Sequence, residues 1–432
     1  MRLKYWAAAA AVFTLAALPA RAQDTTQRGV RIGLTYRPGT KPGVVVLPIA
    51  GAGGDSARAI IARDLNFGDR LEVIDGEGIA LPASGNGAMN YGVWKALGAA
   101  ALVQVTLAPA VARVAVHDVT ARRVAQTQEF PLSGTPGSES WRMDVHGIAD
   151  EIERWTTGVR GIARTRILYV RAGRVYVVDS DGHGERAVTQ PGTVMAPAWH
   201  PDGHHIAYSR LGTRGWNIEV LDLAAGRGSA VAAAAGGLNT TPAFSPDGRS
   251  LAYAHGLENG TDLFVVNAFN GGQARRITLG RGTDNVSPSF SPDGRRLAFT
   301  SGRSGHPEVY TADFDGSNME LLTPFNFGDQ NYRSNPDWSP DGRMIVFQSQ
   351  LDGQFQIMTI TLRDRTVRQL TSEGGNEDPA WAPDGRHVVF TSSRTGVKQL
   401  FVLDTESGRA RQLTHSAGSR LGAWSRYLGR AP

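Results

Sequence analysis

Cysteine is absent from all 432 residues of the sequence. The chain therefore has neither a disulfide nor a cysteine that could carry a lipid anchor. A long apolar run is missing as well, because the run from Trp6 to Leu18 is shorter than the ~20 residues that a membrane-spanning helix needs. We therefore expect a protein without a lipid anchor and without a membrane-spanning helix.

The N-terminus has the three parts of a secretory signal peptide. Arg2 and Lys4 give a basic start, the apolar run follows, and Ala20-Arg21-Ala22 has the small residues of a cleavage site. We predict a signal peptide over residues 1–22, cleavage after Ala22 and a mature chain that begins at Gln23. A bacterial signal of this kind predicts export of a soluble protein to the periplasm.

A strong charge of one sign is also missing. The formal net charge is +5, but Arg2, Lys4 and Arg21 lie in the signal segment, which holds no acid. Removing these three charges from the five leaves a net charge of +2. Because a dense basic run is lacking too, the sequence does not support nucleic-acid binding.

Nucleotide-binding motifs are missing or incomplete. The chain has no Gly-Lys-Ser or Gly-Lys-Thr, which excludes a phosphate-cradling P-loop. Gly51 and Gly53 lie between a predicted strand and a predicted helix, and Asp75 ends the next strand, as in a dinucleotide fingerprint. Ser56 stands where the third glycine is needed, so we interpret this segment as a plain strand-to-helix turn.

Catalytic and metal-binding patterns are lacking as well. The run Gly302-Arg303-Ser304-Gly305 does not fit the Gly-x-Ser-x-Gly of a nucleophile elbow. His204 and His205 are adjacent, and since alternate side chains face opposite ways we interpret them as part of a solvated turn rather than a metal-ligand pair. We therefore predict a protein that is not an enzyme and that uses no cofactor and no metal.

What the sequence does contain is one short phrase in five copies. Each copy has an aromatic residue, a Pro-Asp-Gly turn that begins two positions later, and then an apolar, β-rich segment. The prolines are Pro201, Pro246, Pro292, Pro340 and Pro383, at spacings of 45, 46, 48 and 43 residues. A period of this size with strand-turn-strand content indicates a β-propeller with one blade per repeat.

Each repeat carries the signals of four strands. Proline sets φ at the second turn position, and Asp and Gly suit the two positions that follow. After the turn come an apolar strand such as Arg295–Thr300, a second such as Val309–Asp313 and, in most repeats, a third such as Arg275–Thr278. The strand before the turn makes the fourth.

The two ends of the repeat region complement each other. Arg166–Val170 matches the strand after the turn without a Pro-Asp-Gly before it, and Val175–Asp179 and Arg186–Thr189 supply the next two strands. Gly422–Ser425 matches the strand before the turn. The sequence therefore predicts an all-β six-bladed β-propeller over residues 163–432, closed by pairing of the first and last segments, which removes two exposed sheet edges.

Residues 23–162 lack the repeat and predict a small α/β N-terminal domain that begins with a flexible segment. The predicted strands are Gly43–Ile49, Leu71–Asp75, Leu102–Leu107 and Arg113–His117, and the predicted helices are Asp55–Leu65, Gly92–Ala99 and Glu139–Thr157. Asp55 or Ser56 is the expected cap of the first helix. The last helix leads directly into the first propeller strand.

Segments along nearly the whole chain resemble the TolB family of the Tol-Pal system. They are Gly29–Gly33, Gly43–Pro48, Ala62–Leu65, Gly161–Val170 and Ala423–Leu428. The Gly161–Val170 junction and the C-terminal segment are the specific parts. The resemblance implies a periplasmic adaptor in the trans-envelope complex that keeps the outer membrane attached and constricting during cell division, and we expect it to be a monomer.

The resemblance also implies two partners. The peptidoglycan-associated lipoprotein Pal would lie across one mouth of the channel, on the loops before each Pro-x-aromatic strand. The positions in this sequence are Met195, Leu238, Asn239, Thr240, Thr241, Asp284, Asn285, Val286, Arg333, Ser334, Asn376 and Glu377. Leu238 stands where the family would have His, and Val286 where it would have Thr.

The second implied partner is the periplasmic domain of TolA, which would capture the mature N-terminal segment from Gln23 to Gly33. The expected contacts are Gln23, Val30, Arg31 and Ile32. One segment that is either docked or released can couple the two binding events.

Two other functions stay open. A propeller is also suited to binding a small molecule, a glycan or a metal in its channel. Repeats of this type also resemble the propellers of prolyl-oligopeptidase-like peptidases, but those proteins carry an α/β-hydrolase domain. The sequence leaves no room for one after the sixth predicted blade.

Overall fold

The computed structural model describes residues 41–76, 89–232, 237–280, 282–323 and 332–429. The predicted signal peptide and the segment from Gln23 to Gly33 lie outside these residues. Among the helices described, none combines the length and the apolar character that a membrane crossing requires.

The first part of the described chain is a mixed sheet with helices packed on it. The strands are β1 (Gly43–Val46), β2 (Glu72–Val73), β3 (Ala99–Ala108), β4 (Val111–Asp118) and β5 (Arg123–Pro131), in the spatial order β2-β1-β3-β4-β5. The helices are α1 (Gly54–Phe67), α2 (Tyr91–Ala96) and α3 (Glu139–Thr157). β1 pairs in parallel with β2 and β3, and β3, β4 and β5 form an antiparallel meander. We call this part the α/β unit.

The two longer helices form because each has an apolar face to bury. Ile61 and Leu65 of α1 and Ile148 and Ile152 of α3 lie in the core against the sheet. Residues four apart share one face of a helix, so these side chains reach the sheet together.

The prediction for the start of α1 was wrong. Neither Asp55 nor Ser56 caps the helix; Gly53, with φ of 80°, precedes it, and no side chain caps it. A Cβ on Gly54 would lie 1.9 Å from a carbonyl oxygen of the preceding loop. The left-handed backbone and this close approach both require glycine, so the glycine pair sets the start of the helix. By contrast, α3 begins after Ser138, whose hydroxyl accepts a backbone N–H of the first turn.

One strand of the α/β unit was not predicted. β5 is the edge strand of the sheet, and Phe130 is its single buried residue. Because apolar and polar residues do not alternate in this segment, its residue pattern does not indicate a strand.

Among the residues described after the α/β unit are 24 strands that pair mainly in groups of four. Sheet 1 contains β6 (Arg166–Arg171), β7 (Arg174–Asp179), β8 (Arg186–Ala187) and the last strand, β29 (Arg420–Trp424); sheet 2 contains β9 (Val194–Trp199), β10 (His205–Gly212), β11 (Gly215–Asp222) and β12 (Arg227–Ala232); sheet 3 contains β13 (Asn239–Phe244), β14 (Ser250–Leu257), β15 (Gly260–Asn267) and β16 (Gly271–Arg276). Sheet 4 contains β17 (Thr283–Phe290), β18 (Arg296–Ser301), β19 (Glu308–Asp313) and β20 (Glu320–Leu321); sheet 5 contains β21 (Arg333–Trp338), β22 (Met344–Leu351), β23 (Gln354–Thr361) and β24 (Val367–Gln369); sheet 6 contains β25 (Asn376–Trp381), β26 (His387–Ser392), β27 (Gln399–Asp404) and β28 (Ala410–Gln412).

Each sheet is an antiparallel meander, and a short parallel bridge between β15 and β17 links sheets 3 and 4. Sheet 1 is built from both ends of the repeat region. In it β29 pairs with β6, so that Ala423 lies opposite Leu168 and Trp424 opposite Ile167. This is the pairing of first and last segments that the sequence indicates.

The apolar cores of this part lie between neighbouring sheets. Ala207 and Ile218 of sheet 2 pack with Leu251 of sheet 3, and Leu168 of sheet 1 packs with Ile206 of sheet 2. Small four-stranded sheets that pack face to face in sequence are typical of a β-propeller. The chain is therefore a β-propeller preceded by an N-terminal α/β unit.

The α/β unit packs on the face of the propeller that carries the Pro-Asp-Gly turns, which we call the proximal face. Arg411 Nη2 lies 2.7 Å from Asp69, and Arg70 donates to Glu153 at 3.0 Å and to the turn residue Asp384 at 3.1 Å. Asp69, Arg70, Glu153 and Asp384 are almost fully buried. Removing one partner of a buried pair costs about 3–5 kcal/mol, so these contacts hold the unit in place.

Candidate partner-binding site

The inner strand of every propeller sheet contains a bulge. The inner strands are β9, β13, β17, β21, β25 and β29, and in each the pairing with the next strand shifts once. At each shift stands a non-glycine residue with left-handed backbone, φ between 48° and 57°: Ala196, Thr241, Ser287, Asn335, Asp378 and Leu421. We call these six the bulge residues. Because a bulge re-aims the side chain, they line the channel that the inner strands surround.

The bulges correct one prediction. The segments before each Pro-x-aromatic were predicted as loops, but they form the first halves of inner strands such as Asn239–Phe244 and Asn376–Trp381. Five of the six bulge residues precede a proline. Proline has no N–H for a ladder hydrogen bond and is tolerated at a strand edge or a bulge. The inner strand has both a bulge and a free edge, and the free edge faces the channel.

Hydrogen bonds join four bulge residues from one sheet to the next. The backbone N–H of Ser287 donates to Thr241 Oγ1 at 3.1 Å, and Ser287 Oγ donates to Asn335 Oδ1 at 2.9 Å. Asn335 Nδ2 donates in turn to Asp378 Oδ1 at 2.9 Å. The N–H of Leu421 donates to a threonine hydroxyl of sheet 6 at 3.1 Å. The series connects sheets 3, 4, 5 and 6 and continues to sheet 1.

Two acids of the channel wall have raised pKa values. Ser289 Oγ donates to Asp337 Oδ1 at 3.0 Å, and the N–H of Trp381 donates to Asp337 Oδ2 at 2.8 Å. Asp337 keeps some surface exposed to the channel, but its carboxyl group is buried. This burial raises the pKa of Asp337 to about 6, although the two hydrogen bonds lower it. Burial and the neighbouring charge of Glu377 raise the pKa of Asp378 to about 6 as well. Both acids therefore titrate close to neutral pH.

The channel has a volume of about 620 Å³. Towards the proximal face its wall contains the five turn prolines. Arg426 and Tyr427 of the C-terminal segment also line it, and Arg426 Nη1 donates to the carbonyl oxygen of Pro246 at 3.1 Å. The C-terminal segment thus reaches from sheet 1 to sheet 3 at this end of the channel. The opposite end, where the inner strands begin, we call the distal face.

The twelve positions predicted to contact Pal lie together, on or beside the first halves of five inner strands at the distal face. Five of them are buried: Asn239, Thr240, Asn285, Ser334 and Asn376. The other seven are exposed or half-buried: Met195, Leu238, Thr241, Asp284, Val286, Arg333 and Glu377. The contact role of the set stays a prediction, and the accessible seven are the positions that a partner can reach.

The buried asparagines connect neighbouring sheets. Asn285 Nδ2 donates to the backbone oxygen of Thr261 in the preceding sheet at 3.2 Å, and Arg303 Nη2 donates to Asn285 Oδ1 at 3.0 Å. Asn239 Nδ2 makes the same kind of contact with the backbone oxygen of Trp216 at 2.9 Å. Leaving such a group unpaired would cost about 1–3 kcal/mol, so these amides serve the interior.

Apolar side chains mark part of the distal rim. Leu238 precedes β13 and is 41% exposed, and Leu211 and Leu257, at the ends of β10 and β14, are 45% and 40% exposed. Gly256, beside Leu257, has no room for a Cβ, because it would lie 2.9 Å from the Cβ of Leu238. Exposed apolar side chains on a polar rim suit a protein partner.

Charged side chains of the rim differ in how firmly they are held. Arg333 Nη1 lies 3.2 Å from Glu308, whose side chain is fully buried, and Lys398 Nζ lies 2.7 Å from Glu377. Asp284 is exposed. A substitution at Arg333 would therefore disturb a buried acid, whereas a change at Asp284 tests the surface alone.

Sequence reasoning missed Asp337 altogether. In the five Pro-x-aromatic segments the middle residue is Ala198, Ala243, Ser289, Asp337 or Ala380. A single charged residue among small ones at the same repeat position was a signal that would have found it. Asp378 lay in a segment predicted to contact Pal without being singled out.

The four positions predicted to contact TolA, namely Gln23, Val30, Arg31 and Ile32, lie outside the described residues. Their role stays a prediction.

Comparison with known proteins finds curated relatives named as Tol-Pal system protein TolB. A Tol-Pal system protein TolB of Anaeromyxobacter dehalogenans is 32% identical over 244 residues, which are 53% of this chain and 54% of that protein. A Tol-Pal system protein TolB of Gluconobacter oxydans is 30% identical over 240 residues, 52% of this chain and 51% of that protein. The chain thus spans about half the length of the curated relatives it matches.

Solved structures support the fold. The crystal structure of TolB from Acinetobacter baumannii matches 91% of this chain and 98% of its own, with a TM-score of 0.78 and 23% identity. The structure of a putative TolB from Agrobacterium tumefaciens matches 59% of this chain and 91% of its own, with a TM-score of 0.50 and 24% identity. At these identities the likeness concerns the fold alone.

The family comparison covers more of the chain than either curated relative above. The model of the family described as the TolB beta propeller domain matches residues 153–428. This is more than half of the chain, and the chain therefore belongs to the TolB beta propeller domain family.

Proposed function

We propose that the protein is a periplasmic adaptor of the Tol-Pal trans-envelope complex, which keeps the outer membrane attached and constricting during cell division. The propeller would bind the peptidoglycan-associated lipoprotein Pal at its distal face. The mature N-terminal segment from Gln23 would bind the periplasmic domain of TolA. The observation that supports this most is a propeller of the TolB family whose distal mouth is lined by accessible side chains, while the α/β unit packs on the opposite face.

We infer that the six sheets close into a ring of six blades, with the α/β domain over residues 23–162 and the propeller over 163–432. Support comes from sheet 1, whose apolar side chains pack with sheet 2 on one side and with sheet 6 on the other. The inner strand β29 likewise contacts both β9 and β25. The protein would act as a monomer and by binding alone, without catalysis and without a cofactor.

The distal rim has the features that a binding partner needs. Leu211, Leu238 and Leu257 supply apolar area, and Asp284 and Glu377 supply charges around it. In protein interfaces a few central side chains provide most of the free energy of binding, and charges at the rim set specificity and rate. We expect Leu238 to be such a central side chain.

Isothermal titration of the mature protein with the soluble domain of Pal from the same organism tests the proposal. The variants are Leu238→Asp and Asp284→Lys on the distal rim. The matched control is Arg343→Glu, a residue whose side chain is 82% exposed in a Pro-Asp-Gly turn of the proximal face. We expect binding by the wild type, at least about tenfold weaker binding by Leu238→Asp, and an unchanged affinity in the control.

Two results would contradict the proposal. Absence of Pal binding by the wild-type protein would exclude the adaptor function. Equal binding by the rim variants and stronger loss in the proximal control would place the partner on the other face.

One observation on the channel favours a second function. Its volume of about 620 Å³ and its two acids, Asp337 and Asp378, suit a small molecule, a glycan or a metal ion. Native mass spectrometry of the protein isolated from the envelope tests this. A bound ligand that Asp378→Asn releases, in a protein that does not bind Pal, would favour the channel function.

A further inference from the structure

We propose that the first Pro-Asp-Gly turn holds a divalent transition-metal ion, for which zinc is the probe, through His200, Asp202 and His205. The turn belongs to sheet 2 and lies on the proximal face, at the far end of β9 from its bulge residue. One ligand atom from each of the three residues lies within 4.8 Å of the other two. Two imidazole nitrogens with a carboxylate oxygen form a donor set that Zn²⁺ and its neighbours in the first transition row prefer.

The carboxylate of Asp202 is the centre of the cluster. Its Oδ1 accepts the backbone N–H groups of His204 at 2.8 Å and His205 at 3.0 Å. Its Oδ2 lies 3.0 Å from His200 Nδ1 and 2.7 Å from His205 Nδ1. The backbone thus fixes one oxygen, and the other oxygen faces both rings.

Hydrogen bonding decides which nitrogen of His200 carries a lone pair. His200 Nε2 lies 3.0 Å from the carbonyl oxygen of Gly248, and since a carbonyl oxygen only accepts, Nε2 must carry the hydrogen. In the neutral ring Nδ1 then holds the lone pair, to which the N–H of Asp202 donates at 3.2 Å. Asp202 Oδ2 lies 3.0 Å from the same nitrogen, and a cation bound between the two atoms would replace this N–H as the partner of the lone pair and make the contact attractive.

The His200 ring is held by a second group, as the histidines of metal sites are. His200 is held in this way by its hydrogen bond to Gly248, whereas the other ring nitrogen of His205, Nε2, faces the charge of Asp222 Oδ2 at 3.8 Å, beyond hydrogen-bond distance. Phe269 packs against both rings, with centroid distances of 5.1 Å to His200 and 5.0 Å to His205. His200 is about nine-tenths buried. The rings are therefore oriented before any ion binds.

The other copies of the turn show that the histidine at 200 is not needed for the turn itself. At its position stand Ser245, Ser291 and Ser339, and each hydroxyl donates to the aspartate two residues later at 2.6 Å. The fifth copy has Ala382 there. A serine at position 200 should therefore keep the turn and remove the ligand.

The sequence predicted that His204 and His205 do not act as a ligand pair, and His204 is exposed. The partner of His205 is His200, which stands before the turn. The turn folds the chain back by the Pro-Asp-Gly geometry and brings the two rings to a centroid distance of 5.7 Å. The spacing of adjacent histidines could not reveal this pair.

Titration calorimetry of the full mature protein without an affinity tag, with ZnCl₂ as the only ligand, tests the proposal. The variants are His200→Ser and His205→Ser, and both are expected to fold because Ser245 and Ser250 hold these positions in the next copy. The control is His415→Ala, which removes an exposed histidine elsewhere. We expect one Zn²⁺ per chain, an affinity lower by at least about 10- to 100-fold in both variants, and no change in the control.

Visible absorption of bound Co²⁺ gives a second readout, since an imidazole–carboxylate site with few ligands produces an intense ligand-field band that the two variants should lose. Circular dichroism melts confirm that the variants are folded. The proposal is overturned if the wild type binds no zinc saturably, or if His200→Ser and His205→Ser bind it as tightly as the wild type does.

Discussion

At the scale of single residues, the channel acids make stability depend on pH. The pKa of Asp337 is raised from 3.8 to about 6 in the folded protein, chiefly by burial. The folded state therefore holds this proton more tightly than the unfolded chain, and ionisation opposes folding. The cost is absent below the unfolded pKa near 4, grows between pH 4 and 6 and is fully present above pH 6.

Asp337→Asn removes this ionisation. We expect the free energy of unfolding of the wild type, relative to the variant, to decrease by about 1–2 kcal/mol between pH 4 and pH 7, less than the full shift would give because Asp337 keeps some surface exposed to the channel. Urea denaturation of both proteins at the two pH values measures it. Asp284→Asn, at an exposed acid, is the control and should follow the wild type. A difference between wild type and Asp337→Asn that stays constant with pH would contradict the prediction.

At the scale of elements, the junction between α3 and β6 depends on one carboxylate. Asp150 of α3 is 1% exposed and accepts the backbone N–H groups of Ala163 at 2.7 Å and Arg164 at 3.0 Å. Burial raises its pKa to about 7, against the effect of these two bonds. The segment after the helix is therefore folded back on the helix by a side chain that is costly to ionise there.

Asp150→Ala should lower the free energy of unfolding by about 2–4 kcal/mol, because two buried N–H groups lose their acceptor. Asp150→Asn should cost less, since its amide oxygen keeps one of the two bonds and carries no charge. Urea unfolding followed by tryptophan fluorescence compares the three proteins. Equal stability of Asp150→Ala and the wild type would mean that the junction is held by other contacts.

At the scale of the whole molecule, the α/β unit is fixed to the propeller by contacts around Asp69, which lies 2.7 Å from Arg411 of the propeller and, within the unit itself, 2.9 Å from Lys41. The N-terminal segment proposed to bind TolA lies before these contacts in the sequence. Deleting residues 23–33 should therefore abolish binding to the periplasmic domain of TolA and leave the melting temperature nearly unchanged. Calorimetric titration and a thermal melt of the same preparation measure both. A large fall in melting temperature would assign the segment a structural role instead.

A structural feature could be predicted from the sequence when its cause lies in residues next to each other in the chain, and could not when its cause lies in contacts between distant residues. The Pro-Asp-Gly turns and the apolar strands after them are local signals, and the strands of each repeat lie where these signals place them. The bulges are not local: the left-handed backbone at Asn335 or Asp378 follows from pairing with the next strand and from the free edge at the channel. The burial of Asn285 likewise depends on Thr261 of the neighbouring sheet and on Arg303 of the turn after β18.

Sheet 1 contains strands from both ends of the repeat region, and this limits the order in which the chain can fold. The backbone N–H of Arg166 donates to Ser425 Oγ, 259 positions later, beside the pairing of β6 with β29. Contacts between such distant residues form slowly, because the loop entropy has to be lost first. Sheets 2 to 6 can assemble as their strands become available, but β6 keeps an unpaired edge until β29 reaches it. We therefore expect the completion of sheet 1 to be a slow step of folding, and we expect a chain cut short before Arg420 to remain open to proteases and to pairing with other chains.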